Sequence, residues 1–189
     1  MNLDNFVEIY DDTINLETIS SLVKWCETQK FELGTIGDNQ KNAKIRNADV
    51  LFMFNWMSKS KTKIHWTYFL KNLIWKKMKE YCAKHYTVNS DSVIYEINDV
   101  SILKYNTGGH YRIHSDHFAT CPRTLSAILL LNNDYKGGDL KFFYPNGKLM
   151  KKIDVKPGRL IVWPSTFLYP HMVEPVIEGR RYSIVAWAI

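Results

Sequence analysis

The stretch "TLSAILLLNNDYKGGDLKFFYPNGK", residues 124–148, alternates short apolar runs with residues that favour turns. The first run ends at "NND", and "LKFF" is enclosed by the pair Gly137–Gly138 and by "PNG". Short runs bounded in this way are typical of β-strands joined by hairpins, whereas a helix needs a longer stretch without such breaks. The stretch therefore predicts consecutive strands, with Gly137–Gly138 as the expected hairpin turn.

Residues 91–189 as a whole repeat this pattern. Apolar runs such as "VIYEINDVSILKY", "RLIVW" and "RYSIVAWAI" alternate with turn signals such as "NTGG" and "KPG". Many short strands at this spacing indicate an all-β sandwich or barrel. We therefore expect the C-terminal half to form a β core.

Residues 1–90 have a different, mainly helical pattern. In "NLETISSLVKWCETQ", apolar residues recur three and four positions apart after the expected N-cap Asn15. The segment "HWTYFLKNLIWKKMKEYCAKHY", residues 65–86, predicts a second amphipathic helix. Its expected buried stripe consists of Leu70, Leu73, Ile74, Tyr81 and Cys82. Between the helices, the short apolar "LFMFNW", residues 51–56, predicts a strand.

The length of 189 residues suits one domain. We expect a single domain over 1–189, mainly β with packed N-terminal helices (α+β). In this layout 1–90 is a largely helical support region and 91–189 is the core. The apolar share of 46% and the charged share of 23% are ordinary for a soluble globular protein.

Cysteine usage and charge indicate where such a protein would work. The three cysteines lie far apart without metal-type spacing, which argues against a disulfide framework and favours a reducing compartment. The start of the sequence does not resemble a secretory signal, and no 18-residue apolar stretch occurs, so we expect a cytoplasmic protein with no membrane partner. The net charge of +6 comes largely from lysines opposite apolar residues, which favours a solvated helix face over a nucleic-acid surface.

The segment "YRIHSDHF", residues 111–118, suggests a metal site. His114 and Asp116 are two positions apart, and on a strand such side chains share a face, about 6.6 Å apart along the backbone. This pattern alone is weak, but a further histidine, His171, precedes the strand-like C-terminal end. Two histidines and one carboxylate form the facial triad of non-haem Fe(II) oxygenases, which leaves positions open for a co-substrate and O2.

Arg181 follows His171 by ten positions, in the strand-like "RRYSIVAW". A buried arginine in a β core is costly unless it meets an anion. A dicarboxylate co-substrate would supply that anion for the guanidinium fork. Arg180 points to the opposite face of the strand and is expected in solvent, whereas Trp187 faces the same way as Arg181.

Four segments in order resemble one known family. They are "LKYNTGGHYRIHSD", "RTLSAILLLNNDYKGGDLKFFYPNG", "VKPGRLIVWPS" and "VEPVIEGRRYSIVAW", the last of which closely follows His171. The sequence from about 95 to 189 is similar to the Fe(II)/2-oxoglutarate-dependent dioxygenases, and within them to the prolyl 4-hydroxylase-like branch. The resemblance implies a double-stranded β-helix (jelly-roll) core in 91–189. It also implies Fe(II) held by His114, Asp116 and His171.

The same resemblance implies a 2-oxoglutarate pocket. Arg181 matches the residue that binds the distal carboxylate, and Tyr105 matches a tyrosine that hydrogen-bonds the same group. Leu130 falls where some relatives carry a further tyrosine on the co-substrate, and Val185 where some carry a polar residue. Trp187 is expected either to line the inner pocket or to pack in the core. These departures predict a less polar pocket than in such relatives.

Substrate contacts are expected around the mouth of the site. Tyr111 matches an aromatic residue near the substrate mouth, and Arg46 falls in a mobile substrate-binding segment of relatives. Trp163 is expected either in the core or at the pocket edge, where it would contact substrate. His110 and His117 fit the strand period badly and are expected at the rim. The implied reaction hydroxylates a substrate, best a peptidyl proline, with release of succinate and CO2. Its cofactors are Fe(II), 2-oxoglutarate, O2 and, as reductant, ascorbate.

Three alternatives stay open. The substrate can be another amino-acid side chain or a small molecule instead of a prolyl residue. Nucleic-acid dealkylation would suit the basic charge, but that branch usually has two arginines separated by five residues after the distal histidine. Here Arg180 and Arg181 are adjacent and no arginine follows. A non-catalytic jelly-roll binding or sensor module is the third. We expect a protein or peptide partner and disfavour nucleic acid.

Overall fold

The computed structural model of the protein describes residues 2–36, 40–54 and 59–189. The helices are α1 (Leu16–Glu27) and α2 (Lys61–His85), and short 3-10 turns span Leu3–Phe6 and Ser90–Ser92. The N-terminal strands are β1 (Glu8–Tyr10), β2 (Glu32–Leu33), β3 (Arg46–Asn47) and β4 (Asp49–Phe52). The later strands are β5 (Ile97–Tyr105), β6 (His110–His114), β7 (Leu125–Leu130), β8 (Lys136–Gly137), β9 (Leu140–Phe143), β10 (Leu149–Ile153), β11 (Leu160–Pro164), β12 (His171–Val173), β13 (Val176–Glu178) and β14 (Arg181–Ala188).

Two large antiparallel sheets make up the architecture. One has the strand order β1-β11-β7-β14-β5-β4-β2, and the other has the order β10-β9-β12-β6-β3, while β13 and β8 form a small separate pair. Along the chain, β5, β7, β11 and β14 join the first sheet, and β6, β9, β10 and β12 join the second. Eight strands shared in this way between two facing sheets form a jelly roll. The predicted fold class is confirmed.

The larger sheet separates two hydrophobic clusters. Successive side chains of a strand point to opposite faces. On β5, Val100 and Ile102 therefore pack towards α1 and α2, whereas Leu103 and Tyr105 point into the space between the two sheets. The helices thus support the outer face of the larger sheet, and the inner face is free to line a site.

The two predicted helices are present. Asn15 caps α1, with its side-chain oxygen accepting from the amide of Thr18 at 2.8 Å. The second helix begins four residues before the predicted start, because Ser60 caps it. Of its predicted stripe only Leu73 is half-buried instead of buried. Among the described residues, no helix is long and apolar enough to cross a membrane.

Short strands from the N-terminal part complete the edges of both sheets. The predicted strand 51–56 corresponds to the end of β4, and its positions 55 and 56 lie outside the described residues. The sequence did not predict β1, β2 and β3, which are two or three residues long. Such segments become strands because they pair with a neighbour, and their own sequence carries little β preference. β3 pairs with β6 and sets Arg46 opposite Tyr111.

Helix α2 offers a matched test of this packing. Ile74 is fully buried against the larger sheet, whereas Ile64 on the same helix is 40% exposed. We expect Ile74→Ala to lower the free energy of unfolding by about 2–5 kcal/mol, because it leaves a cavity. Ile64→Ala should cost under about 0.5 kcal/mol. Urea denaturation followed by circular dichroism measures both, and equal losses would contradict the packing described.

Candidate functional site

Two histidines and one aspartate converge on the inner side of the smaller sheet. β12 pairs with β6 so that His171 lies directly opposite His114. Asp116 lies just beyond the end of β6, where the chain bends. Its Oδ1 is 3.7 Å from Nε2 of His114, and its Oδ2 is 3.6 Å from Nε2 of His171. One ligand atom from each residue lies within 4.8 Å of the others, so the three can hold one metal ion.

An irregularity in β6 arranges these side chains. His171 pairs with His114 and Val173 pairs with Tyr111, so three residue steps on β6 face two on β12. A bulge of this kind re-aims side chains. Tyr111 therefore lies on the same side as His114, and their rings stack with centroids 3.6 Å apart. The strand period alone does not predict this neighbourhood.

The hydrogen bonds around the triad prepare it for a metal. Nδ1 of His114 lies 2.8 Å from the carbonyl of Arg112, and Nδ1 of His171 lies 3.1 Å from that of Tyr169. These contacts place the ring proton on Nδ1 and leave the lone pair of Nε2 for the ion. Asp116 accepts a hydrogen bond of 2.6 Å from Ser126, whose Oγ is 2.8 Å from that of Ser165.

The electrostatics of the triad favour the metal-binding protonation states. Burial, together with the neighbouring His171, lowers the pKa of His114. Burial alone would raise the pKa of Asp116, but His171, His114 and the hydrogen bond from Ser126 outweigh it, and the pKa falls below its ordinary value. His114 is therefore neutral and Asp116 ionised at neutral pH, as metal ligation requires.

Arg181, 1% exposed, carries a positive charge into the interior between the sheets. Its Nη1 donates to Oγ of Ser183 at 2.8 Å, and its guanidinium carbon lies 5.1 Å from the centre of the Tyr105 ring. Within the described part of the chain, its Nε and Nη2 have no hydrogen-bond partner and are buried. Arg180, in contrast, is exposed and pairs with Glu27 at 3.2 Å. The two arginines thus lie on opposite sides of the sheet, Arg181 inside and Arg180 in solvent, as the sequence predicted.

A cavity of about 420 Å³ contains the metal triad and Tyr105. Arg181 does not line this cavity itself, and its guanidinium carbon lies 5.1 Å from the centre of the Tyr105 ring, which does. The metal triad, Tyr105 and apolar side chains line its interior. The other lining residues named by the sequence analysis are Arg46, Tyr111, Trp163, Val185 and Trp187. Phe52, Asp99, Phe118 and Arg123 also line it. The cavity wall therefore combines the polar triad with apolar, aromatic and charged side chains.

The sequence of this β core matches one family model. The model describes the 2OG-Fe(II) oxygenase superfamily, and it matches residues 100–189, which contain the triad and Arg181. Over these residues, slightly less than half of the chain, the sequence is therefore similar to the 2OG-Fe(II) oxygenase superfamily. The donor set fits the metal of that family, since two imidazoles and one carboxylate form the facial triad of non-haem Fe(II). The unpartnered buried guanidinium atoms likewise fit a carboxylate of 2-oxoglutarate.

Some relatives that match part of this chain are named as hydroxylases. Prolyl 3-hydroxylase 3 of Mus musculus is 43% identical over 67 residues, which are 34% of this chain and 9% of that protein. A PKHD-type hydroxylase of Synechococcus sp. (strain JA-2-3B'a(2-13)) is 34% identical over 99 residues, 48% of this chain and 42% of that protein. The chain thus spans less than half the length of either relative.

Solved structures share the whole fold. A Pseudomonas putida prolyl-4-hydroxylase superposes with a TM-score of 0.72 at 18% identity, covering 97% of this chain and 92% of that one. A prolyl hydroxylase from Trichoplax adhaerens, in complex with a hypoxia inducible factor peptide fragment, superposes with a TM-score of 0.73 at 19% identity. It covers 100% of this chain and 87% of that one. These likenesses confirm the jelly-roll fold of the β core.

The structure also locates the remaining predicted residues. Trp163 is buried, with its ring 5.0 Å from that of His171, and it also lines the cavity, so its position fits the core as well as the pocket wall. Leu130 is buried opposite Ser183, in the neighbourhood of Arg181. His117 is exposed and contacts Arg123 through Nδ1, and His110 contacts the carbonyl of Gly108, so both lie outside the triad.

Sequence reasoning missed several polar residues of the site. Ser126 had a signal, because it is the one hydroxyl in the apolar strand Leu125–Leu130 and shares the inner face with Ile128 and Leu130. Ser183 had a weaker one, since it lies two positions from Arg181 on the same face of β14. Arg123 lies 3.7 Å above the Trp187 ring and donates to the carbonyl of Asp116. Tyr135 lies close to Arg181, which acts on it electrostatically. The last two sit in connecting segments, whose course no strand period predicts.

Removal of the carboxylate ligand tests the metal centre. We expect Asp116→Ala to weaken Mn(II) binding more than the factor of about 10–100 that outer partners of metal ligands contribute. Electron paramagnetic resonance of free Mn(II) measures this affinity. Asp154→Ala, at an exposed aspartate outside the triad, is the control and should bind as the wild type does. Equal binding by both variants would show that the ion is held elsewhere.

The hydroxyl that orients Asp116 can be tested separately. Ser126→Ala removes its hydrogen bond and should weaken Mn(II) binding by about tenfold. Ser183→Ala is a matched control, since that serine is equally buried but contacts Arg181. Without co-substrate, Ser183→Ala should leave Mn(II) affinity unchanged. The orienting role is wrong if the two serine variants lose affinity to the same extent.

Proposed function

We propose that the protein is an Fe(II)- and 2-oxoglutarate-dependent dioxygenase that hydroxylates peptidyl proline. One observation carries the proposal: a complete facial triad and a buried arginine with free donor atoms belong to the same inter-sheet interior. If Arg181 only formed a structural ion pair, its Nε and Nη2 would have an acidic partner, and within the described residues they have none. A non-catalytic binding or sensor module would not need both the triad and the arginine in the same interior.

Each part of the cavity has a role in this reaction. His114, Asp116 and His171 would hold Fe(II), which when bound supplies the oxidation of a C–H bond by O2, coupled to conversion of 2-oxoglutarate into succinate and CO2. Arg181 and Tyr105 would bind and orient the distal carboxylate. Apolar side chains between these groups, including Leu103, Ile128, Leu140 and Val185, keep water from the reacting atoms.

The aromatic lining supports a prolyl substrate. Phe52 and Phe118 line the cavity and are 47% and 40% exposed, so both rings are accessible to a ligand there. Arg46 and Arg123 lie over the rings of Tyr111 and Trp187. Aromatic-lined grooves are a common way to bind proline-rich segments in the polyproline II conformation. Relatives and structural neighbours named as prolyl hydroxylases agree with this choice.

The remaining expectations belong to the same proposal. Ascorbate would act as a reductant that keeps the metal as Fe(II), and the protein would work in the cytoplasm on a protein or peptide. Nucleic acid is disfavoured because Arg180 points away from the cavity and pairs with Glu27, so Arg181 enters the interior without a second arginine from the same strand.

The test uses the purified protein in air with Fe(II), 2-oxoglutarate and ascorbate. We expect some members of a proline-containing peptide library to gain one oxygen on proline, with one succinate formed for each. Peptides with alanine in place of that proline should not react. Mass spectrometry measures the oxygen, and Asp116→Ala should abolish both products. If oligonucleotides or free amino acids stimulated succinate formation and no proline peptide did, the prolyl proposal would be wrong. The substrate would then belong to the class that stimulated the reaction.

A further inference from the structure

The carboxylate end of the interior has more hydrogen-bond donors than the protein itself uses. One guanidinium nitrogen of Arg181, Nη1, donates a hydrogen bond to Oγ of Ser183. In the part of the chain described, its Nε and Nη2 and the hydroxyl of Tyr135 are all buried without a hydrogen bond of normal geometry. Buried donors are nearly always satisfied, so an unmet group of this kind calls for an explanation. Three of them in one place indicate a ligand with several acceptor oxygens.

Tyr135 reaches this place from the connection between β7 and β8. The Arg181 guanidinium is its strongest charged neighbour and also approaches its hydroxyl, although this contact falls short of a normal hydrogen-bond geometry. Gly138 packs against both: a Cβ there would lie 3.1 Å from Cδ of Arg181 and 3.2 Å from Cε2 of Tyr135. Gly179 closes on the other side, where a Cβ would lie 3.1 Å from Cα of Tyr135. Both glycines have positive φ, and their lack of a side chain lets the tyrosine ring fit beside the arginine.

The neighbouring strand position cannot provide this hydroxyl. Leu130 lies directly opposite Ser183, which holds Arg181, and its side chain has no polar atom. In this chain Tyr135, and not position 130, therefore places a phenol hydroxyl next to the Arg181 guanidinium. Burial raises the pKa of Tyr135 despite the nearby positive charge, so the hydroxyl keeps its proton and acts as a donor.

We propose that the Tyr135 hydroxyl donates a hydrogen bond to the distal carboxylate of 2-oxoglutarate, next to the Arg181 guanidinium. Tyr135 is then a co-substrate-binding residue, and it helps select 2-oxo acids that end in a carboxylate. This assignment rests on the proposed function, since it concerns the co-substrate of that reaction.

The experiment compares two ligands that differ only at the distal end. In 2-oxopentanoate a methyl group replaces the distal carboxylate of 2-oxoglutarate. Calorimetry with the Mn(II)-loaded protein measures the affinity for each without turnover. We expect Tyr135→Phe to weaken 2-oxoglutarate about ten- to hundredfold, as for a hydrogen bond to a charged group. The weaker binding of 2-oxopentanoate should not change.

A matched variant separates binding from stability. The hydroxyl of Tyr182 bonds Glu27 at 2.7 Å on the opposite face of β14. Tyr182→Phe should lower the Tm of the ligand-free protein and leave both affinities unchanged. Tyr135→Phe removes an unsatisfied buried hydroxyl, so its ligand-free Tm should equal or exceed that of the wild type.

Three results would overturn the assignment. Wild-type affinity of Tyr135→Phe for 2-oxoglutarate would do so and leave the proposed function intact. Equal loss for 2-oxoglutarate and 2-oxopentanoate would show that Tyr135 only shapes the pocket. Failure of the wild-type protein to bind 2-oxoglutarate at all would overturn the proposed function along with it.

Discussion

A positive charge enclosed between two β-sheets is the constraint on which the site depends. Arg181 is buried at the start of the last strand. Its hydrogen-bond partner there is the hydroxyl of Ser183, which is neutral and does not balance the charge. A buried cation without a counter-charge costs several kcal/mol, so the protein is more stable with an anion beside it. The guanidinium fork selects a carboxylate. A ligand that carries a carboxylate would therefore complete the interior between the sheets.

The second constraint is the register of the smaller sheet. His171 lies opposite His114 on one side and Phe142 on the other, so the middle strand presents its histidine at the centre of the sheet. The bulge beside it brings Tyr111 onto the His114 ring. Across the cavity, Ser126 of the larger sheet holds Asp116. Metal ligands from one sheet are thus fixed by contacts to both, which makes the site a property of the packed sandwich.

How much of this could be predicted depends on whether the signal is local. Strand and helix periods are local, and so are the spacing of His114 and Asp116 and the order of the four motifs. The fold class, the triad and Arg181 could therefore be predicted. The edge strands of the N-terminal part could not, because their conformation comes from pairing. The position of Tyr135 was also beyond prediction, since it depends on how a connection folds against Gly138 and Gly179.

The central claim is that one cavity holds Fe(II) and 2-oxoglutarate together. Anaerobic absorption spectroscopy tests it most directly, because chelation of the metal by the 2-oxo acid gives a weak visible charge-transfer band. The account predicts a band when both are added to the wild-type protein and none with either alone. In Arg181→Met, half-saturation should require far more 2-oxoglutarate. No band in the wild-type protein, or an unchanged titration in Arg181→Met, would contradict the account.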